Sequence, residues 1–233
     1  MLRVFRYLTA GWETGADTYR PLLVAPVTLD KDTLALIARE AAHAQNGRPA
    51  RIIAKMNALL DSPTIDALYA ASQSGVEIDL IVRGMCSLRA GVKGLSEKIR
   101  VRSIIGRFLE HSRIFWFANG GNEEVFAGSA DWMPRNLHER CEVVFPVVDN
   151  VAKRRLRHEI LECYLRDSVK ARILRPDDQY VRLRPSAGDD PLSAQDWLMQ
   201  HALHPETQLD AAPAAKSAVE ASPREMTAKS TAQ

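Results

Sequence analysis

Between residues 22 and 82 apolar positions fall in short runs and then at helical spacing, a rhythm that reads strand, helix, strand, helix, strand. Residues 22–27 form an apolar run of buried-strand type. Asp30 can cap a helix whose apolar positions Leu34, Ile37, Ala38 and Ala41 recur at helical spacing, with Gly47 past its end. A second strand follows at 51–57. Asp61, Ser62 and Pro63 then open a second helix, with Ile65, Leu68, Tyr69 and Ser72 as its inner stripe and Gly75 as its stop. Residues 76–82 are a third strand. Strands alternating with helices of this length favour right-handed crossovers and parallel pairing.

After Arg83 the texture changes. Residues 84–98 are Gly-rich and basic, and 101–105 and 113–117 read as strands. Asn119, Gly120 and Gly121 make a hairpin turn that returns through 124–126. Residues 141–146 are another buried strand. Asp149 begins an amphipathic helix with Leu156, Ile160 and Leu161 inside and Arg154, Arg155 and Arg157 outside. Short extended runs at 169–174 and 180–183 close the pattern, which is that of an α/β fold with a mixed sheet.

Both ends read differently. Residues 1–12 carry Val4, Phe5 and Leu8 like the tail of an amphipathic helix, too short to stand without packing. From Pro185 the periodicity collapses. Residues 211–233 hold eight alanines and two prolines with little to bury, a tail composition. Trp197, Leu198 and Leu203 are the apolar residues of this stretch that could dock as a short helix.

Composition matters here chiefly through its distribution. The net charge of +2 averages a balance of +6 over residues 1–184 and −4 over 185–233. Within 83–113 alone, Arg83, Arg89, Lys93, Lys98, Arg100, Arg102, Arg107 and Arg113 face only Glu97 and Glu110, a patch suited to an anion. No run of about 18 apolar residues exists to span a bilayer, and the start lacks the apolar stretch and cleavage site of a signal peptide. Cys86, Cys141 and Cys163 are scattered, which argues against a disulfide framework or thiolate zinc site and fits a reducing cytoplasm. The six histidines do not cluster at metal spacing. Aromatics are not interleaved with the basic patch, so nucleic acid is not the expected partner.

In open α/β sheets, ligands sit outside the carboxyl ends of the strands. The second strand finishes at Lys55, Met56 and Asn57, the third at Arg83 and Gly84. Arg83 there is either a phosphate fork or a solvated strand end. His111, Ser112 and Arg113 open the strand at 113, and the histidine is either structural or a nucleophile or base beside a phosphoryl group. Asp131 with Asn136 and Arg140 either organises the same pocket or caps the turn at 133–135. His158, Glu159 and Glu162 read as solvated, and no Gly-x-x-x-x-Gly-Lys-Ser/Thr loop is present.

Five stretches carry a family resemblance: 51–59 with Lys55 and Asn57, 81–88 with Arg83 and Gly84, 95–113 ending in His111, Ser112 and Arg113, 128–136 with Asp131 and Asn136, and 140–146 from Arg140. Together they resemble the C-terminal region of bacterial polyphosphate kinases, over about residues 1–184. The resemblance implies a phospholipase D-like mixed sheet flanked by helices. On this reading 1–20 is an interdomain helix or linker, 21–184 the domain, and 185–233 a mostly disordered tail. It implies reversible transfer of the terminal phosphate of ATP to polyphosphate through a phosphohistidine, with Mg2+, in the cytoplasm and at most peripheral to the inner membrane. Family ATP contacts fall on Arg83 and His111, a tunnel arginine falls on Arg140, and Lys55, Asn57 and Arg113 join the phosphate-binding set. His111 resembles an assisting histidine. The phosphate-accepting histidine, the magnesium-linked arginines and the ATP-stacking tyrosine of the family lie in a preceding domain with no counterpart here. The expected partners beyond ATP and polyphosphate are therefore the upstream kinase domains or further copies of this chain. The alternatives are a non-catalytic polyphosphate- or nucleotide-binding module and a truncated remnant. Phospholipase D-type enzymes carry His-x-Lys with Asp five residues after the lysine. Here Arg113 and Ala118 occupy those positions, which argues against phosphodiester hydrolysis.

Overall fold

The computed structural model describes residues 19–204 apart from 186, 187 and 189, together with Val4, Phe5 and Thr9. The linker expected at 1–20 and the tail from 205 onward lie largely outside the described residues. A nine-stranded mixed sheet organises the rest, in the order β1-β7-β6-β5-β2-β3-β4-β8-β9. The strands are β1 Leu23–Ala25, β2 Arg51–Met56, β3 Glu77–Val82, β4 Ile99–Ile104, β5 Arg113–Phe117, β6 Glu124–Gly128, β7 Glu142–Pro146, β8 Ala171–Leu174 and β9 Tyr180–Arg182. The alternation over 22–82 predicts that β1, β2 and β3 run parallel. Strands β2 and β3 do, but β1 lies at the sheet edge antiparallel to β7. The further parallel neighbour of β3 is β4, reached without an intervening helix, while all other pairings are antiparallel.

Alternation along β2 serves two cores. Ile52, Ala54 and Met56 face a layer built by α1 (Leu29–Gln45) and α2 (Ser62–Gln73), where Leu29, Ile37, Ile65 and Leu68 are buried. Ile53 faces the opposite layer with Leu161, Cys163, Tyr164 and Ala194. That layer is a helical run of α3 (Asn150–Arg154), a π-wound segment Arg155–Leu161 and α4 (Glu162–Arg166), completed by α5 (Ala194–Leu203). Burial on both faces explains why the strand runs read as continuous apolar stretches.

Caps predicted from the sequence hold where the signal is local. Asp61 accepts a hydrogen bond from Thr64 N at 3.0 Å, and Asp149 from Ala152 N at 2.7 Å. The first helix departs from expectation. Thr28, not Asp30, precedes it, and Thr28 Oγ1 is occupied by Val24 N, while Asp30 and Asp32 sit in the first turn where the helix dipole favours them. Its buried face is Leu29, Thr33, Ile37 and Glu40, and Ala38 is exposed. The rotation follows from Glu40, which accepts Asn119 N at 2.9 Å and Arg51 N at 3.2 Å and so belongs inside. Arg157 also turns inward, against expectation. The π winding turns each residue by less than an α-helix does, and the Arg157 guanidinium lies 4.9 Å over Trp116 while donating to Glu162 at 3.0 Å.

The fold continues past residue 184. Asp167 accepts Ala194 N at 2.8 Å, and Gln195 pairs with Phe108, accepting its N–H at 2.8 Å and donating to its carbonyl at 2.9 Å. Gly106 makes room, because a Cβ there would lie 2.3 Å from Gln195 Oε1. The docking of α5 depends on these polar contacts as much as on Trp197 and Leu198, which is why apolar periodicity does not announce it. Among the described residues, no helix is long and apolar enough to cross a membrane.

Two outcomes are expected. Gln195→Ala leaves the Phe108 backbone unpaired and should lower stability by about 1–3 kcal/mol in urea titrations; a loss below about 0.5 kcal/mol would show that the clamp is ornamental. Asp79 on β3 is buried, which pulls its pKa up, but hydrogen bonds and charge from Arg100 and then Arg51 hold it net below the ordinary range. A depressed carboxylate stabilises the fold above its unfolded pKa, and that contribution is lost as pH falls through the folded value. Asp79→Asn should therefore be less stable than the wild type at neutral pH, with the gap closing below about pH 4. A gap independent of pH would contradict the assignment.

Candidate functional site

Sheet geometry brings distant residues to one edge. Strands β2 and β3 end at Met56 and Val82, so Asn57 and Arg83 emerge side by side. Strand β5 runs antiparallel to β2 and starts at this edge with Arg113, opposite Gly128 at the end of β6. Asp131 follows β6 and reaches across both. Its Oδ1 accepts Asn57 N at 2.7 Å and Arg113 Nε at 3.1 Å, and its Oδ2 accepts Arg113 Nη2 at 2.9 Å. Asn57 Oδ1 in turn accepts Arg83 Nε at 2.7 Å. Arg113 Nη1 donates to His111 Nδ1 and to the His111 carbonyl, each at 2.8 Å.

Exposure divides this chain of contacts in two. The Arg113 and Asp131 side chains are 9% and 7% exposed, a buried ion pair. His111 is exposed and Arg83 half-buried. Arg83 uses only Nε within the protein, so among the described residues its two Nη groups carry no hydrogen bond. A half-buried guanidinium held by one nitrogen, with its other two nitrogens without a hydrogen bond among the described residues, suits phosphate oxygens.

Lys55 is placed differently from its neighbours. Its ammonium is buried, donates to Ser112 Oγ at 2.8 Å, lies 3.4 Å from Glu110 and sits 4.6 Å over the Tyr164 ring. Burial lowers its pKa, and Glu110 opposes that shift. Lys55 therefore props the segment leading into His111 from below rather than facing solvent. A groove of about 660 Å³ is lined by Glu110, Ser112, Arg113, Ser129 and Tyr164 together with apolar residues including Phe145.

Arg140 stands on the far side, half-exposed, with Nη1 3.9 Å from Glu142. Glu142 accepts from Asn136 Nδ2 at 3.1 Å and from Ser129 Oγ, and Asn136 Oδ1 accepts Asp131 N at 3.1 Å. The carboxylate of Asp131 thus joins the pocket instead of capping the turn at 133–135. Gly84 has a structural role: its N–H donates to Asn57 O, and a Cβ there would meet that oxygen at 2.8 Å.

The basic patch at 83–113 is less unified than its sequence suggests. Arg100 and Lys98 pair with Glu77, Arg100 also with Asp79, Arg89 with Asp178, and Arg102 donates to the Leu165 carbonyl at the end of α4. Arg83, His111 and Arg113 are what converge at the sheet edge. Sequence reasoning did not single out Glu142 and Ser129 as site residues, although both lie within the stretches 128–136 and 140–146 that carry the resemblance.

Replacing Arg113 by methionine would strand the Asp131 carboxylate in a buried site. A loss of about 3–5 kcal/mol in chemical denaturation is expected; less than about 1 kcal/mol would mean that water already reaches the pair.

Residues 22–195 match the family model of polyphosphate kinase C-terminal domain 2. A polyphosphate kinase from Thermosynechococcus vestitus is 55% identical over 200 residues, 86% of this chain and 27% of that protein. One from Pseudomonas putida is 53% identical over 186 residues, 80% of this chain and 25% of that protein. The crystal structure of polyphosphate kinase from Porphyromonas gingivalis aligns with a TM-score of 0.80 at 40% identity, covering 87% of this chain and 30% of that one. The chain spans about a quarter of the length of the curated relatives it matches. With the match running through β2, β3, β5 and β6 and every residue of the edge cluster, the chain belongs to the polyphosphate kinase family, as its C-terminal domain 2.

Proposed function

We propose that this chain supplies ATP and polyphosphate binding to reversible transfer of the ATP terminal phosphate onto polyphosphate, with the phosphohistidine formed on a residue outside these 233. The observation that carries this reading is the placement of Arg83 and His111 at one sheet edge, linked through Asn57, Asp131 and Arg113, with no hydrogen bond from the Arg83 Nη groups among the described residues. In such a transfer the bond from the γ-phosphorus to the ADP oxygen breaks as a bond to a histidine nitrogen forms. A terminal polyphosphate oxygen then takes the phosphoryl group from that nitrogen. The protein's part is to position the phosphates and neutralise charge on their oxygens.

Arg83 and His111 would hold the nucleotide phosphates, and Arg140 would line the path of the polymer. Asn57 and Arg113 would fix them from behind, and Lys55 would support the 110–112 segment. Among the described residues, no group of three His, Cys, Asp or Glu side chains could hold a metal ion, and Asp131 is bonded to Arg113. The use of ATP places the reaction in the cytoplasm. The upstream kinase domains are the partner this reading requires.

Calorimetric titration with tripolyphosphate tests the binding half. Affinity should fall as salt rises, and Arg83→Ala should weaken it about tenfold and lower the salt slope by about one. No binding at low salt, or an unchanged slope, would contradict the site. Phosphate transfer from labelled ATP tests the other half. It should require a second chain carrying the upstream domains, and transfer by this chain alone would refute the placement of the phosphohistidine.

A further inference from the structure

The geometry points to Asp131 as a positioning residue that sets Arg83 and His111 relative to one another. Each is one residue removed from the same carboxylate. Asn57 links Asp131 to Arg83, accepting Arg83 Nε at 2.7 Å while donating its own N–H to Asp131 at 2.7 Å and Nδ2 at 3.1 Å. Arg113 links Asp131 to His111, donating two nitrogens to the carboxylate and a third to the ring and carbonyl of His111. The two links come from different strands, Asn57 just after β2 and Arg113 at the start of β5, and no hydrogen bond joins Arg83 to His111 directly. Asp131 is itself fixed, with 5% of its surface exposed and its N–H donated to Asn136.

A carboxylate is suited to this task in a way that an amide is not. Both oxygens of Asp131 accept, and together they receive donors from both links. An amide keeps one acceptor: an oxygen in the place of Oδ1 still serves Asn57 N and Arg113 Nε, but its NH2 then faces Arg113 Nη2 donor to donor, so the Arg113 link toward His111 is disturbed. Asp131→Asn therefore breaks the alignment while keeping the size of the side chain.

The sign of the effect distinguishes positioning from simple charge. Removing a negative charge beside a phosphate site by itself tightens anion binding. Loss of alignment weakens it. This inference rests on the phosphate-binding reading for its affinity measurement but not for its spectroscopic one.

Two measurements on the full 233-residue chain decide it. In the ligand-free protein, the NMR signals of Arg83 Nε–H and the His111 ring are compared between wild type and Asp131→Asn, and at least one should move. Tripolyphosphate affinity, at matched low salt, should fall about tenfold in the variant despite the loss of a negative charge. Unmoved signals, or an affinity equal to or tighter than wild type, would overturn the inference. If the wild type itself fails to bind, the phosphate reading falls and the spectra alone decide the positioning role. Should Asp131→Asn not fold, Asn57→Ala cuts one link: the Arg83 signal should move while the His111 ring stays in place. An unmoved Arg83 signal in that variant would overturn the inference as well.

Discussion

Strand β2 lies parallel to β3 on one side and antiparallel to β5 on the other, so that Lys55 stands level with both Ile81 and Ile114. This mixed pairing governs the site. Parallel pairing brings the ends of β2 and β3, and hence Asn57 and Arg83, to one edge. Antiparallel pairing brings the beginning of β5 to that same edge, with His111 and Arg113. A purely parallel neighbour would have sent the start of β5 to the opposite side of the sheet, some six residues or about 20 Å away.

Much of the surrounding structure keeps this edge in place. From below, Lys55 binds Ser112 and Glu110, and from the side Gln195 holds Phe108. The segment between β4 and β5 therefore has fixed points on both flanks of its route to His111. The buried pair of Arg113 and Asp131 is a costly element, since desolvating two charges takes back much of their attraction. Its directional hydrogen bonds are the compensation, because they orient groups that apolar packing would leave free.

Local features were legible in the sequence and long-range ones were not. The parallel pairing of β2 with β3 and the Asp61 and Asp149 caps follow from alternation and short-range hydrogen bonding. So does the turn at Asn119 and Gly120, where both residues take positive φ. The edge place of β1, antiparallel to β7, does not. The insertion of β5 beside β2 has no local signature. Neither does the rotation of α1 that buries Thr33 and Glu40, because an inward carboxylate looks like a solvent-facing one until its partners are known. Arg83, His111 and Arg140 were readable as candidates from strand ends and family resemblance. Asp131 carried two readings, pocket or turn cap, that spacing alone could not separate, and distances to Arg113 and Asn57 separate them. Lys55 shows the opposite case: a lysine at the end of an apolar strand suggests a ligand contact, yet here the amine is consumed by Ser112 and Glu110.

The charge distribution gains a more specific meaning from the fold. Several arginines of the 83–113 stretch are tied to acidic residues or a helix end, away from the site. Apart from the exposed Lys93 and Arg107, the latter over the Phe108 ring, what remains is the group at the sheet edge, Arg83, His111 and Arg113. Amide chemical-shift mapping with tripolyphosphate tests that central claim most directly. Perturbations confined to Asn57, Arg83, Gly84, the 111–113 segment and Arg140 are the predicted result. Shifts spread evenly over Arg89, Lys98 and Arg100 as well would contradict a built phosphate site and indicate diffuse attraction to a basic surface.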